Sequence, residues 1–211
     1  MKKILPSLIS IMLLSVFTTS GQTNMQRIYE ANTLHWYGID YSQTRFIGPV
    51  GFNEPERLQE HYFDAWNDVV NDEYEKYSLE EYFLMENVER HMNQVRKQNQ
   101  SAENVPERII NGDFSLSRDQ VIEILSNYSY DANNGIALHV VMESLNKTET
   151  EATAYWVFVE PASRTIIHME KMTEKARGFG FRNYWIRPTM EMLEAFDKAH
   201  KRTKKNVEKG R

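Results

Sequence analysis

Ile136-Ala-Leu-His-Val-Val-Met-Glu-Ser-Leu145, Ala152-Thr-Ala-Tyr-Trp-Val-Phe-Val-Glu160 and Thr165-Ile-Ile-His-Met-Glu-Lys-Met-Thr173 are three successive runs rich in β-favouring residues. In the first, Ile136, Leu138, Val140 and Met142 alternate with Ala137, His139, Val141 and Glu143, the period of a strand. The second is apolar on both faces, as a strand covered from two sides must be. The segments between the runs, 146–151 and 161–164, are too short for a crossover, so the three strands pair as an antiparallel meander. Closing the turns in the simplest register sets 139 opposite 158 and 158 opposite 167, which puts His139 and His168 on opposite faces. The fold class expected is α+β: an antiparallel β-meander of about three to five strands, packed with helices and centred on 152–160.

Downstream, Arg177-Gly-Phe-Gly-Phe-Arg-Asn-Tyr-Trp185 reads as a glycine-hinged loop. A C-terminal amphipathic helix follows, burying Ile186, Met190, Leu193 and Phe196, and Pro188 either begins it or kinks it. Upstream, 22–32 reads as a loose lead-in, 33–41 as a strand and 44–48 as a short extended piece ended by the turn Gly48-Pro49-Val50-Gly51. Asn53 caps a helix whose apolar stripe is Leu58, Tyr62, Ala65, Trp66 and Val69. A second helix, opened by Ser78 and Glu81, buries Tyr82, Met85, Val88, Met92 and Val95. Together they form a two-helix acidic segment after the first strand. A polar linker over 97–106, a short strand at Ile109 and Ile110, and a helix boxed by Ser117 and Gln120 lead to the turn Asn133-Asn134-Gly135.

Residues 1–21 carry the marks of a cleaved signal peptide: Lys2 and Lys3, an apolar core over 4–17, then small residues. The domain is expected over 22–200, with a basic flexible tail over 201–211. No later stretch reaches the roughly 20 apolar residues of a membrane span. The chain has no cysteine, which excludes disulfides, thiolate metal sites and a lipid anchor. An exported chain without disulfides fits a periplasmic or secreted location in bacteria. Asn99, Asn127 and Asn146 head Asn-x-Ser/Thr triplets; in such a host they carry no glycan. Net charge is −5, and residues 54–91 hold twelve acids against three bases. That acidic body argues against nucleic acid as a partner.

No assembled catalytic, cofactor or metal constellation emerges. Gly178-Phe179-Gly180 lacks the third glycine and the Gly-Lys-Ser/Thr ending of phosphate loops. His61, Asp64 and Asp68 fall on a charged face opposite the apolar stripe and read as solvated. The residues singled out for partner binding are Arg177, Arg182, Asn183, Tyr184 and Arg187, an arginine–aromatic corner of the kind enriched in interfaces. The resulting expectation is a non-enzymatic interaction module of the cell envelope, with another envelope protein as partner. The alternative is a hydrolase or small-ligand-binding protein using dispersed groups around His139, His168 and Glu143.

Glu143-Ser144-Leu145-Asn146-Lys147, together with Gly178-Phe-Gly-Phe-Arg-Asn-Tyr-Trp185, resembles a group of uncharacterised exported proteins of Gram-negative bacteria, over roughly residues 107–200. The order of strands, hairpin and helix also resembles the C-terminal half of the small envelope α/β domain of the TolB N-terminal and curli-secretion-lipoprotein type. That resemblance implies a periplasmic adaptor.

Overall fold

The computed structural model describes residues 20–73 and 75–208. The expected signal segment lies outside these, apart from its last two positions. Those open a helix, α1 (Ser20–Glu30), where the sequence suggested a loose lead-in; its Ile28 is buried against the sheet.

The sheet has seven strands among the described residues: β1 (Thr33–Asp40), β2 (Arg45–Ile47), β3 (Asn87–Arg90), β4 (Ile109–Ile110), β5 (Ile136–Asn146), β6 (Glu151–Glu160) and β7 (Thr165–Lys175). β5 is the hub. Along one edge it takes β1 beside 136–141 and β2 beside 144–146, both parallel, so β1 and β2 act as one strand with a kink. β3 adds to β1 and β4 to β2, again parallel. Along its other edge β5 pairs antiparallel with β6, and β6 with β7. Four of the six pairings are parallel, so the fold is α/β and the expected antiparallel α+β meander is corrected. The tight turns at 146–151 and 161–164 govern only β5 to β7. The N-terminal strands reach β5 through helical crossovers, which local pattern does not reveal.

Helices cover both faces, the usual requirement of a sheet with parallel strands. On one face α2 (Phe63–Asp72), α3 (Leu79–Phe83) and α6 (Phe181–Glu208) bring Phe63, Trp66, Leu79, Phe83, Trp185 and Phe196 onto Trp36, Leu138, Val140, Trp156 and Phe158. On the other, α5 (Arg118–Leu125) and Val95 of α4 (Met92–Gln100) lie over Ala137, Val141, Tyr155 and Val157. The Ser117–Gln120 capping box opens α5 as its sequence requires. α6 begins at Phe181, seven residues before Pro188, which therefore sits inside the helix. The helix continues to Glu208, through most of the basic tail. No helix of the described residues is long and apolar enough to cross a membrane.

Two local departures shape the sheet around β1. The helix expected from Ser78 stops at Leu84, whose φ of 50° is left-handed; the chain then extends as β3 before turning into α4. The second is a gap on the outer edge of the sheet, between β3 and β4. There Asn67 of α2 accepts from Ile39 N at 2.8 Å and donates to Ile39 O at 2.9 Å. Asn99 of α4 donates to the same carbonyl at 3.0 Å and accepts from Tyr41 N at 2.7 Å. Two buried amides thus stand where a strand would lie. Gly38, at φ 85°, makes the approach possible in a bulge of β1, because a Cβ there would lie 2.8 Å from Asn67 Oδ1.

Candidate metal centre

β3 places a carboxylate and an imidazole beside β1. In the parallel register His35 stands opposite Glu89. His91 follows two residues on, hence on the same face, and its N–H bonds to Trp36 O at 2.8 Å, extending the ladder past the strand end. Three ligand atoms converge. His35 Nδ1 lies 3.1 Å from His91 Nε2 and 3.3 Å from Glu89 Oε2, and His91 Nε2 lies 3.8 Å from the same oxygen. The circle through three points so separated has a radius of about 2.0 Å, the length of a zinc–nitrogen or zinc–carboxylate bond. A bound ion would be held by all three atoms, His35 Nδ1, His91 Nε2 and Glu89 Oε2.

The second nitrogen of His35 sets its tautomer. Nε2 is 3.0 Å from the carbonyl of Asn134, and a carbonyl can only accept. Nε2 therefore carries the proton, and Nδ1 of the neutral ring offers a bare lone pair to the cluster, the orientation that a backbone carbonyl imposes on metal-binding histidines. Gly135 permits this, since with φ 73° a Cβ there would lie 2.6 Å from Thr33 O and 3.0 Å from His35 Nε2. His35 is buried, its side chain 2% exposed, whereas that of Glu89 is 60% exposed. The cluster is anchored on its inner side and open to solvent on its outer side.

Behind it the rings stack. Tyr37 lies between two imidazoles, 4.8 Å from His91 and 4.5 Å from His139, with interplanar angles of 11° and 18°. The Tyr130 hydroxyl is 2.9 Å from His139 Nε2, and Tyr128 meets the same ring edge-on. Burial, and then the neighbouring His35, lower the pKa of His91, which keeps its ring available as a neutral ligand near pH 7. Burial drives His139 down to about 3. Tyr37 rises to about 12, through burial and then the charges of Asp131 and Glu89.

The residues suggested for dispersed acid–base work do not meet. Both turns close one residue away from the simplest register: His139 pairs with Val157, and Phe158 with His168. The two slips cancel, so His139 and His168 remain on opposite faces. Glu143 bulges out of β5, accepts from Leu116 N at 2.8 Å and pairs with Lys171 at 2.6 Å. His139 instead joins the ring stack.

The corner proposed for partner binding occupies the first turns of α6 and the residues before it. Its arginines are engaged within the chain: Arg177 and Arg187 each reach Glu191 Oε1 at 2.6 Å, and Arg182 reaches Glu73 at 3.2 Å. Arg182 also bonds Asn183 Oδ1, and Lys147 lies over the Tyr184 ring. Between the two glycines Phe179 is 96% exposed.

His35, Glu89 and His91 were missed because the last two fell inside a supposed helix. A Glu-x-His pair is a signal only in a strand, where alternate residues share a face. No family model matches the chain, and no curated protein matches it.

Proposed function

We propose that the protein binds a divalent transition-metal ion, with zinc the simplest fit, through His35 Nδ1, His91 Nε2 and Glu89 Oε2, leaving an open coordination position toward solvent. The observation that carries this reading is the triangle of ligand atoms with a circumradius matching a metal–ligand bond, together with the Asn134 carbonyl that turns the His35 lone pair inward. Two imidazoles and one carboxylate suit zinc, iron, nickel or copper and do not suit calcium or magnesium, which favour all-oxygen shells. Three protein ligands with one free position is the pattern of catalytic zinc sites, in which bound water is acidified to a pKa of about 7. Glu89, the most exposed ligand, borders that open side.

The test is titration of chelator-stripped, untagged protein with Co²⁺ and Zn²⁺, followed by visible absorption and calorimetry. One ion per chain is expected, with cobalt bands of a low-symmetry four- or five-coordinate site. His35→Ala, His91→Ala and Glu89→Gln should each weaken binding about tenfold or more, while His61→Ala and His168→Ala leave it unchanged. Binding with no defined stoichiometry, or equal affinity in all five variants, would overturn the proposal.

A further inference from the structure

A second site lies at the kink between β1 and β2. A cavity of about 480 Å³ opens there, within the size range of small-molecule sites. Its inner wall carries two arginines. Arg45 opens β2 and Arg108 ends the 3-10 turn just before β4, next to the parallel pair Phe46–Ile109, so two like charges lie close enough to act on each other, an arrangement that is unfavourable by itself. No carboxylate forms an ion pair with either of them among the described residues. Arg108 is 9% exposed and donates one bond to Ser42 O. Arg45 donates to Gln43 O at 3.0 Å and lies 4.7 Å over the Phe114 ring. Each guanidinium has five N–H donors, so both keep several for a ligand. Burial, and then the charge of Arg45, lower the pKa of Arg108. The buried carboxylate of Asp40 attracts Arg108 without an ion-pair contact and accepts from Ser42 N and the Tyr128 hydroxyl, each at 2.7 Å. Ser42, also in the cavity wall, is buried with its side chain beside the Asp40 carboxylate.

The rim has the opposite sign. Glu103 and Glu107 line the same cavity and are exposed. A simple anion entering here meets two carboxylates before it reaches the arginines. A molecule with a carboxylate at one end and an ammonium at the other satisfies both. We propose that this cavity binds a small zwitterion, an amino acid or short peptide with free termini, its carboxylate on Arg45 and Arg108 and its ammonium toward Glu103 and Glu107. The site shares no residue with the metal centre and stands without it.

The probes are glycine, diglycine and triglycine, which scan the distance between the two charges, and a mixture of the common amino acids, which covers side-chain requirements. N-acetyl-diglycine, diglycinamide and inorganic phosphate are the controls. Binding is read by calorimetry and by NMR shifts of the arginine Nε–H groups in the full chain. At least one zwitterion should bind saturably and move the Arg45 and Arg108 resonances. Amidation of its carboxylate should weaken it about tenfold or more, as the loss of charge-assisted hydrogen bonds implies, and acetylation of its amine should weaken it as well. Arg45→Gln, at the less buried of the two positions, should weaken binding about tenfold while leaving the melting temperature and cobalt titration unchanged. Arg108→Lys, which keeps the charge and loses the fork, should also weaken it. No saturable binding by any zwitterion, an amide that binds as well as its acid, or phosphate binding more tightly than every zwitterion would overturn the proposal. Because the cobalt titration is read on the same samples, failure here is separable from failure of the metal reading.

Discussion

Truncating Asn67 to alanine should cost much more than an ordinary surface change, and its cost can be built from the bonds it makes. The substitution leaves Ile39 N–H with no acceptor on the closed edge of β1, while Ile39 O keeps its bond from Asn99. A buried donor left unpaired costs about 1–3 kcal/mol. The vacated space and the lost bond to Phe63 O add to this, for a total of about 2–4 kcal/mol. At about 2–4 °C per kcal/mol for a chain of this size, the melting temperature falls by roughly 5–15 °C. Asn99→Ala strands Tyr41 N–H instead and should cost a similar amount. The sharper expectation concerns the pair. Each single variant leaves Ile39 O with one donor and the double variant leaves it with none, so the double should exceed the sum of the singles by about 1 kcal/mol, beyond the 0.3–0.5 kcal/mol within which independent sites add. Urea denaturation of the four proteins, with the slope checked for constancy, measures this. Singles below about 0.5 kcal/mol, or strict additivity, would refute the idea that the two amides replace a strand.

Two further outcomes rest on buried groups. His139 is held near a pKa of about 3 by burial, against 6.5 for a free imidazole. The unfolded chain therefore takes up a proton below pH 6.5 that the folded chain refuses, and stability falls as pH drops from 6.5 toward 3, by up to about 1.4 kcal/mol per unit. Measured over that window, wild type should lose stability faster than His139→Phe; parallel curves would show that the ring is not buried neutral. Trp156 is fully buried against Phe83 and Phe196, with its Nε1 3.2 Å from Met192 Sδ, so Trp156→Ala should cost about 3–5 kcal/mol. A loss under 1 kcal/mol in urea denaturation would mean that β6 is not internal.

Strands with a clean period of two were legible from the chain alone. β5, β6 and β7 fall where the alternation of 136–145 and the apolar run of 152–160 put them, and the Ser117–Gln120 box marked the start of α5. β3 was not legible, because Tyr82, Met85, Val88 and Met92 happen to be spaced like a helix face. The break comes from Leu84 in a left-handed conformation and from the edge that β1 offers to Val88 and Glu89. Losing β3 also hid the candidate site, since His35 lies more than fifty positions from Glu89 and His91 and only the parallel pairing joins them. Parallel register leaves no mark on turn length, which explains why the tight C-terminal turns pointed to the wrong fold class.

The position of β5 at the centre of the sheet sets the order in which the chain can be assembled. β1 and β2 emerge from the ribosome first, yet the strand that both lie against begins at Ile136, about a hundred residues later. At about 5–20 residues per second that is a wait of about 5–20 s. In the interval β1 has only the four residues of β3 and β2 only the two of β4, ladders too small to hold on their own. The meander from β5 to β7 needs no such wait, because each of its strands finds its neighbour within a turn. The last third of the chain, whose pairings are local, is therefore the part expected to close first and to offer the template onto which the first third is drawn back.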